Sequence, residues 1–205
     1  MRTQPTMQEL EAKFYLRNLA VFPGRLQAAG AVIVRPRILE TNLRFDTPDG
    51  DLNQQHQLLR LRKAHTATLT YKGAANLVGG ASQRQEIETE VADFQAARAL
   101  IEALGFQVSR IYEKYRTEYH LDGLLITLDE LPFGDFIEIE GPGVAEIHAA
   151  ADTLGLDWDA NITDNYLMLL DRVTAFRELA FRDLTFENFR DLSISPADLG
   201  IRAAD

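Results

Sequence analysis

Charged and apolar side chains alternate along most of the chain between residues 7 and 141. The stretch MQELEAKFYL, residues 7–16, sets Glu9, Glu11 and Lys13 on one face and Leu10, Ala12 and Phe14 on the other, the period-two pattern of a strand. The same reading predicts strands over residues 31–47, 58–63 (LLRLRK), 66–73 (TATLTYKG), 84–91 (RQEIETEV), 110–121, 124–131 and 135–141. Asp122-Gly123 is a two-residue hairpin signal, Pro48-Asp49-Gly50 marks a turn, and NLVGGAS at 76–82 reads as a glycine-rich loop. Helical spacing interrupts the alternation. Pro23 opens and Gly30 closes a short helix, and Asp93 caps a longer one whose apolar face is Phe94, Ala97, Leu100, Ile101 and Leu104. Residues 144–155 form a further helix, and residues 164–189 read as one or two amphipathic helices carrying Phe176, Phe181, Phe186 and Phe189.

The polar faces of these strands are not the mixture that a solvated face carries. Arg60 and Arg62 share a face, Lys72 continues the face of Thr68 and Thr70, Lys114 and Arg116 stand with Glu118, and Glu138 stands with Glu140. Any one such strand suits an antiparallel sheet with its polar side in water. Six together point to charges turned inward in a closed barrel of about eight strands, with helices over the apolar outer faces. Enclosed charges must then be matched by one another or by a ligand, because unpaired burial is expensive. For Arg84, with Glu86 and Glu88, an exposed edge face is the competing reading, since a one-residue slip would exchange the faces.

Composition narrows the ligand. The chain has 205 residues, 46% hydrophobic and 25% charged, which suits one domain with its own core. Its formal net charge of −10 argues against a general nucleic-acid binder. No cysteine is present, so disulfides and thiolate metal sites are excluded and a reducing cytoplasm is expected. No segment approaches the ~20 apolar residues of a membrane span, and Asn161-Ile162-Thr163 is expected to be inert as a glycosylation acceptor. His56, His65, His120 and His148 lack metal-ligand spacing, and Gly79-Gly80 lacks the Lys-Ser/Thr of a P-loop. Clustered carboxylates are hard oxygen ligands suited to Mg²⁺ or Mn²⁺, whereas clustered Arg and Lys bind phosphate oxygens. Together they describe a polyphosphate and its metal ions.

Glu9-x-Glu11-x-Lys13 resembles the signature of the CYTH family, the triphosphate tunnel metalloenzymes. RFDTPDGDL (residues 44–52) resembles that family's YFDTPD segment, with Arg44-Phe45 in place of Tyr-Phe. LLRLRK, LTYKG, EKYRTEY, ITLDELPFGDFIEIE and NYLMLL follow in the family's order, so the resemblance covers residues 7–170. It implies an α+β fold: a closed eight-stranded antiparallel β-barrel, a tunnel, with helices packed outside. Residues 1–170 would be the tunnel domain, and residues 171–205 a C-terminal helical extension packed on the barrel or at a homodimer interface.

Carried over by position, the resemblance assigns metal binding to Glu9, Glu11, Glu138, Glu140 and Asp129. It assigns phosphate contacts to Lys13, Arg60, Arg62, Lys72, Arg84, Lys114 and Arg116, and makes Glu11 and Asp129 the catalytic candidates. The implied cofactor is Mg²⁺ or Mn²⁺, and the implied partner is a triphosphate-containing small molecule, with no nucleic acid and no membrane. The run from Glu113 to Glu140 is closest to class IV adenylyl cyclase-like members, so conversion of ATP to cAMP and pyrophosphate is the first expectation. Hydrolysis of inorganic tripolyphosphate, thiamine triphosphate or nucleoside triphosphates is the alternative. A non-catalytic polyphosphate-binding module is disfavoured, because phosphate binding alone needs no carboxylate set.

Overall fold

Nine antiparallel strands form one sheet in the computed structural model, which describes the backbone of residues 7–79 and 81–205 and the side chains of residues 10–79 and 81–205. They are β1 (Met7–Leu16), β2 (Val32–Asp46), β3 (Leu58–Lys63), β4 (Ala67–Lys72), β5 (Asn76–Val78), β6 (Ala81–Val91), β7 (Gln107–Leu121), β8 (Leu124–Leu131) and β9 (Gly134–Glu140). The order β1-β9-β8-β7-β2-β3-β4-β6 closes on itself through β1–β6 pairing, where Leu10 lies opposite Gln83 and Glu11 opposite Ser82. Closure leaves eight strands in the barrel. β5 is an addition on β6, formed where the sequence reads as a glycine-rich loop, and it extends β6 three residues before the expected start. Asp122 and Gly123 have φ of 48° and 84°, both positive as a two-residue turn between β7 and β8 requires.

Five α-helices stand among the described residues: α1 (Phe22–Ala28), α2 (Asp51–Gln54), α3 (Phe94–Ala103), α4 (Val144–Thr153) and α5 (Tyr166–Phe176). The outer residues of β1, β8 and β9, among them Phe14, Ile126, Ile137 and Ile139, are buried beneath Phe22 and Leu26 of α1 and Ile147 and Ala151 of α4. Leu43, Phe45 and Leu61 on the opposite wall pack with Ile101 of α3, whose N-terminus Asp93 caps by accepting from the amides of Gln95 and Ala96. No helix among the described residues is long and apolar enough to cross a membrane.

The C-terminal segment departs from expectation. The helix ends at Phe176, Glu178 takes a φ of 53°, and residues 177–205 contain no helix. Strand edges capture the backbone that a second helix would have used. Leu184 N donates to Ile111 O at 2.9 Å, its carbonyl accepts from Glu113 N at 2.8 Å, and Ala204 N donates to Tyr15 O at 3.0 Å. Leu184 and Phe189 are therefore covered within the chain, though not on the Leu10, Ala12 and Phe14 wall, whereas Phe176 is 68% exposed. Leu169, Leu170 and Val173 of α5, with Leu184, Phe189 and Leu199, pack against Tyr15, Tyr112, Leu131, Phe133 and Phe136. Tyr15, Tyr112 and Phe136 alternate in phase with Lys13, Lys114 and Glu138, so this cluster fills one end of the barrel interior.

Candidate functional site in the barrel interior

The period-two faces of the strands decide what the barrel encloses. Apolar partners outside fix the register, and the intervening charged residues have nowhere to go but inward. A cavity of about 640 Å³ results, with Glu11, Lys13, Arg60, Arg62, Lys72, Arg84, Lys114, Arg116, Glu138 and Glu140 all on its wall. Glu86 and Glu88 line it beside Arg84, which removes the exposed-edge reading of β6. The side chain of Glu9 lies outside the described residues, as does Gly80; the backbone register sets Glu9 opposite Arg84. Asp129 is fully buried but does not line the cavity. His56, His65 and His148 are not on the wall, whereas His120 is.

Each cluster of bases is held by acids on neighbouring strands. Lys13 Nζ lies 3.4 Å from Glu138, Lys72 Nζ 3.2 Å from Glu86, Arg84 3.6 Å from Glu11, and Arg62 3.3 Å from Glu40 and 3.5 Å from Glu88. Asp129 is the tightest node: Lys114 Nζ donates to it at 2.8 Å, Arg116 Nε at 2.6 Å and the Tyr166 hydroxyl at 2.9 Å. Its oxygens are thus already engaged. Burial pushes the Glu138 carboxyl up, yet Lys13, Arg116 and Lys114 hold it well below its usual 4.5. Burial likewise disfavours the charge of Arg116, but Asp129 and Glu138 outweigh it and keep the guanidinium protonated. Tyr166 is raised well above 10 by burial and by the charges of Asp129 and Glu138, so it remains a neutral donor.

Several interior residues escaped the sequence reading. Glu40 is buried with its carboxylate 3.3 Å from Arg62 and 3.8 Å from Lys114. Burial would raise its pKa, but Lys114, Arg116, Arg62 and Arg60 together lower it. Its Oε2, with Asn42 Oδ1 and Arg60 Nε, is a buried polar atom lacking a hydrogen-bond partner among the described residues. Arg44 also lines the cavity, as does Tyr112, whose hydroxyl accepts from Arg60 at 3.3 Å, while Glu118 lines it on the face it was read to share with Lys114 and Arg116. Alternation in ILETNLRFD, with Leu43 and Phe45 out and Glu40, Asn42 and Arg44 in, is the signal that reveals the first of these. Tyr112 stands two residues before Lys114 on the same face. Tyr166 has no such local signal, because α5 brings it in from outside the sheet.

The donor set fits a hard divalent cation. Glu11 and Glu140 are direct cross-strand partners on the cavity wall, an arrangement in which two carboxylates repel unless a positive charge lies with them. Glu138 follows two residues before Glu140 on the same face, and all three offer only oxygen. Among the described residues no three acids or histidines converge into a finished metal cluster.

Solved structures share this architecture. A protein from Vibrio parahaemolyticus described as a candidate adenylate cyclase superposes with a TM-score of 0.71 at 22% identity, covering 80% of this chain and 97% of its own. A Pyrococcus horikoshii protein gives a TM-score of 0.65 at 26% identity over 77% of this chain and 96% of its own. A Hippeastrum protein, described as a candidate adenylyl cyclase with a dominant triphosphatase activity, gives 0.58 at 20% identity over 95% of this chain and 100% of its own. No curated protein sequence matches the chain. The sequence profile of the CYTH domain matches residues 7–154, which run from the first strand through α4 and supply nearly all of the charged interior. That family acts on triphosphate substrates and uses divalent metal ions, and the chain belongs to it: it is a CYTH domain protein.

Proposed function

We propose that the barrel interior binds a triphosphate and that the chain catalyses attack of an oxygen nucleophile on it, with hydrolysis of the terminal phosphate as the leading reaction. One observation carries this reading: nine lysine and arginine side chains from β1, β2, β3, β4, β6 and β7 line one cavity together with Glu11, Glu138 and Glu140 from β1 and β9. Arginine offers a bidentate fork to phosphate oxygens and lysine a point charge, so Arg60, Arg62, Arg84 and Arg116 orient the chain of phosphates while Lys13, Lys72 and Lys114 neutralise it. Phosphoryl transfer is catalysed mainly by such positioning and electrostatic stabilisation. Asp129, bound by three donors, holds Lys114 and Arg116 in place rather than touching substrate. Glu11, on the wall itself, orients the attacking oxygen. Glu11, Glu138 and Glu140, with Glu9, would hold Mg²⁺ or Mn²⁺, which when bound stabilises charge on the phosphate oxygens.

Water attack needs only the polyphosphate-binding wall, whereas cyclisation also needs a held base and ribose. The hydroxyls of Tyr112 and Tyr166 on the wall are already engaged by Arg60 and Asp129, and Lys13 Nζ lies 4.5 Å from the centroid of the Tyr166 ring, which favours hydrolysis of tripolyphosphate, thiamine triphosphate or a nucleoside triphosphate. Adenylyl cyclase is the second reading, favoured by the apolar area that Leu58, Ile87 and Leu125 add to the wall. Incubation with tripolyphosphate or ATP and either metal, with resolution of cAMP, pyrophosphate and orthophosphate, tests both. Orthophosphate as the main product, and a loss of turnover by orders of magnitude in folded Glu11→Gln, are expected. cAMP with pyrophosphate would select the second reading, and no turnover of either substrate would refute both.

A further inference from the structure

We propose that segment 195–205 is a strap that fixes the phosphate-binding Lys13, and that Arg172 is the positioning residue through which the strap acts. The inference rests on the triphosphate reading and adds to it a residue that does not line the cavity. Both the strap and Arg172 lie outside residues 7–154, the part of the chain that the CYTH profile matches.

The strap completes an open strand edge. β1 pairs with β9 as far as Leu16, but its pairing with β6 stops at Glu11. Beyond that point the carbonyls on the β6 side lose their strand partner, although the strand still carries Lys13 and Tyr15. Two other segments supply the donors: Ile162 N donates to Lys13 O at 2.7 Å, and Ala204 N to Tyr15 O at 3.0 Å. Past the end of β1, the amides of Arg17 and Asn18 donate to the Asp205 carboxylate at 2.7 and 3.1 Å.

The side chain of Lys13 is held from the same direction. Its Nζ donates to the Asp164 carbonyl at 3.2 Å, lies 3.4 Å from Glu138 and stands 4.5 Å from the centroid of the Tyr166 ring. Residues 162–164 thus meet Lys13 at both main chain and side chain, and Asn165 and Tyr166, which follow, line the cavity with it.

Arg172 on α5 ties that turn to the strap. One arm of its guanidinium donates to Asp164 Oδ2 at 2.5 Å and the other to the Leu199 carbonyl at 2.7 Å. The strap crosses close above it: Gly200 has a φ of 67°, and a β-carbon there would stand 2.9 Å from Arg172 Cδ. Arg177 adds a second clasp on Asp198 at 3.0 Å, and the Asp198 carboxylate also accepts from Ser195 N at 2.8 Å. A forked guanidinium fixes two partners at once, which a point charge does less well. Without it the Asp164 turn is released from the strap, and the Lys13 amine loses part of the support that aims it into the cavity.

Titration calorimetry with tripolyphosphate in a double-mutant cycle tests this relay, using the wild type, Arg172→Ala, Lys13→Ala and the double variant. Arg172→Ala should weaken binding by about three- to tenfold, and in the Lys13→Ala background the same substitution should cost less than about twofold, because the residue through which it acts is gone. Arg172→Lys keeps the charge without the fork, so it should fall between the wild type and Arg172→Ala, and it carries the same cycle where Arg172→Ala does not fold. Equal weakening in both backgrounds would make Arg172 a residue of general stability and overturn the proposal. Unchanged binding in a folded Arg172 variant would also overturn it. Failure of the wild type to bind tripolyphosphate would instead overturn the triphosphate reading, and the relay with it.

Discussion

Glu138 shows how the interior keeps charges that would be costly alone. Lys13 at 3.4 Å and Arg116 on the next strand but one offset its burial and hold it ionised. Such residues were legible because their neighbours are apolar: Ile137 and Ile139 are fully buried on the outside, so Glu138 and Glu140 must face in. Asp129 was legible as an interior residue, but its anchoring by Lys114, Arg116 and Tyr166 was not, since one donor comes from a helix 37 residues away. Asp135, at the start of β9, carries the opposite kind of shift. Burial and the adjacent charge of Glu130 push its carboxyl from 3.8 up to about 6. The folded protein therefore holds this proton more tightly than the unfolded chain, and the ionised carboxylate costs stability increasingly as pH rises from about 4 through 6. Asp135→Asn should raise the unfolding temperature at pH 7 and lose that advantage below pH 4. An equal effect at both pH values, measured by thermal unfolding, would contradict this account.

At the scale of elements, strands were easier to read than the segment that closes them. Residues 58–63 and 124–131 form strands with the expected limits, the first by alternation and the second because alternation, the β-branched Ile126 and Thr127 and the Asp122-Gly123 turn agree. Helical spacing beyond Phe176 misled, since Phe176, Leu179 and Ala180 fit a helix whose backbone is instead drawn onto β7 and β1. That competition is tertiary and leaves no local mark. The cluster built by α5 and the following segment seals one end of the barrel, so its packing should matter to the whole fold. Leu184 is fully buried there, and Leu184→Ala should cost about 2–5 kcal/mol. Urea unfolding would register this as a lowered midpoint; an unchanged midpoint would show that the segment after α5 adds nothing to the core.

For the whole molecule, the net charge of −10 and the cationic interior belong to different surfaces. Acids on the exterior keep the average negative, while closure of the sheet gathers Arg60, Arg62, Lys114 and Arg116 into one enclosed space. Enclosure is what separates a polyphosphate tunnel from a basic surface patch, because salt screens exposed charges over about 10 Å at 0.1 M and buried ones much less. A ligand that binds only the native state raises its stability, by about 2.7 kcal/mol at a hundredfold excess over Kd. Thermal unfolding with and without tripolyphosphate, at low salt and again at moderate salt, is the most direct measurement. The barrel-interior site predicts a rise of several degrees that survives at the higher ionic strength. A small shift that vanishes on adding salt would place the phosphate on the outer surface and contradict the account.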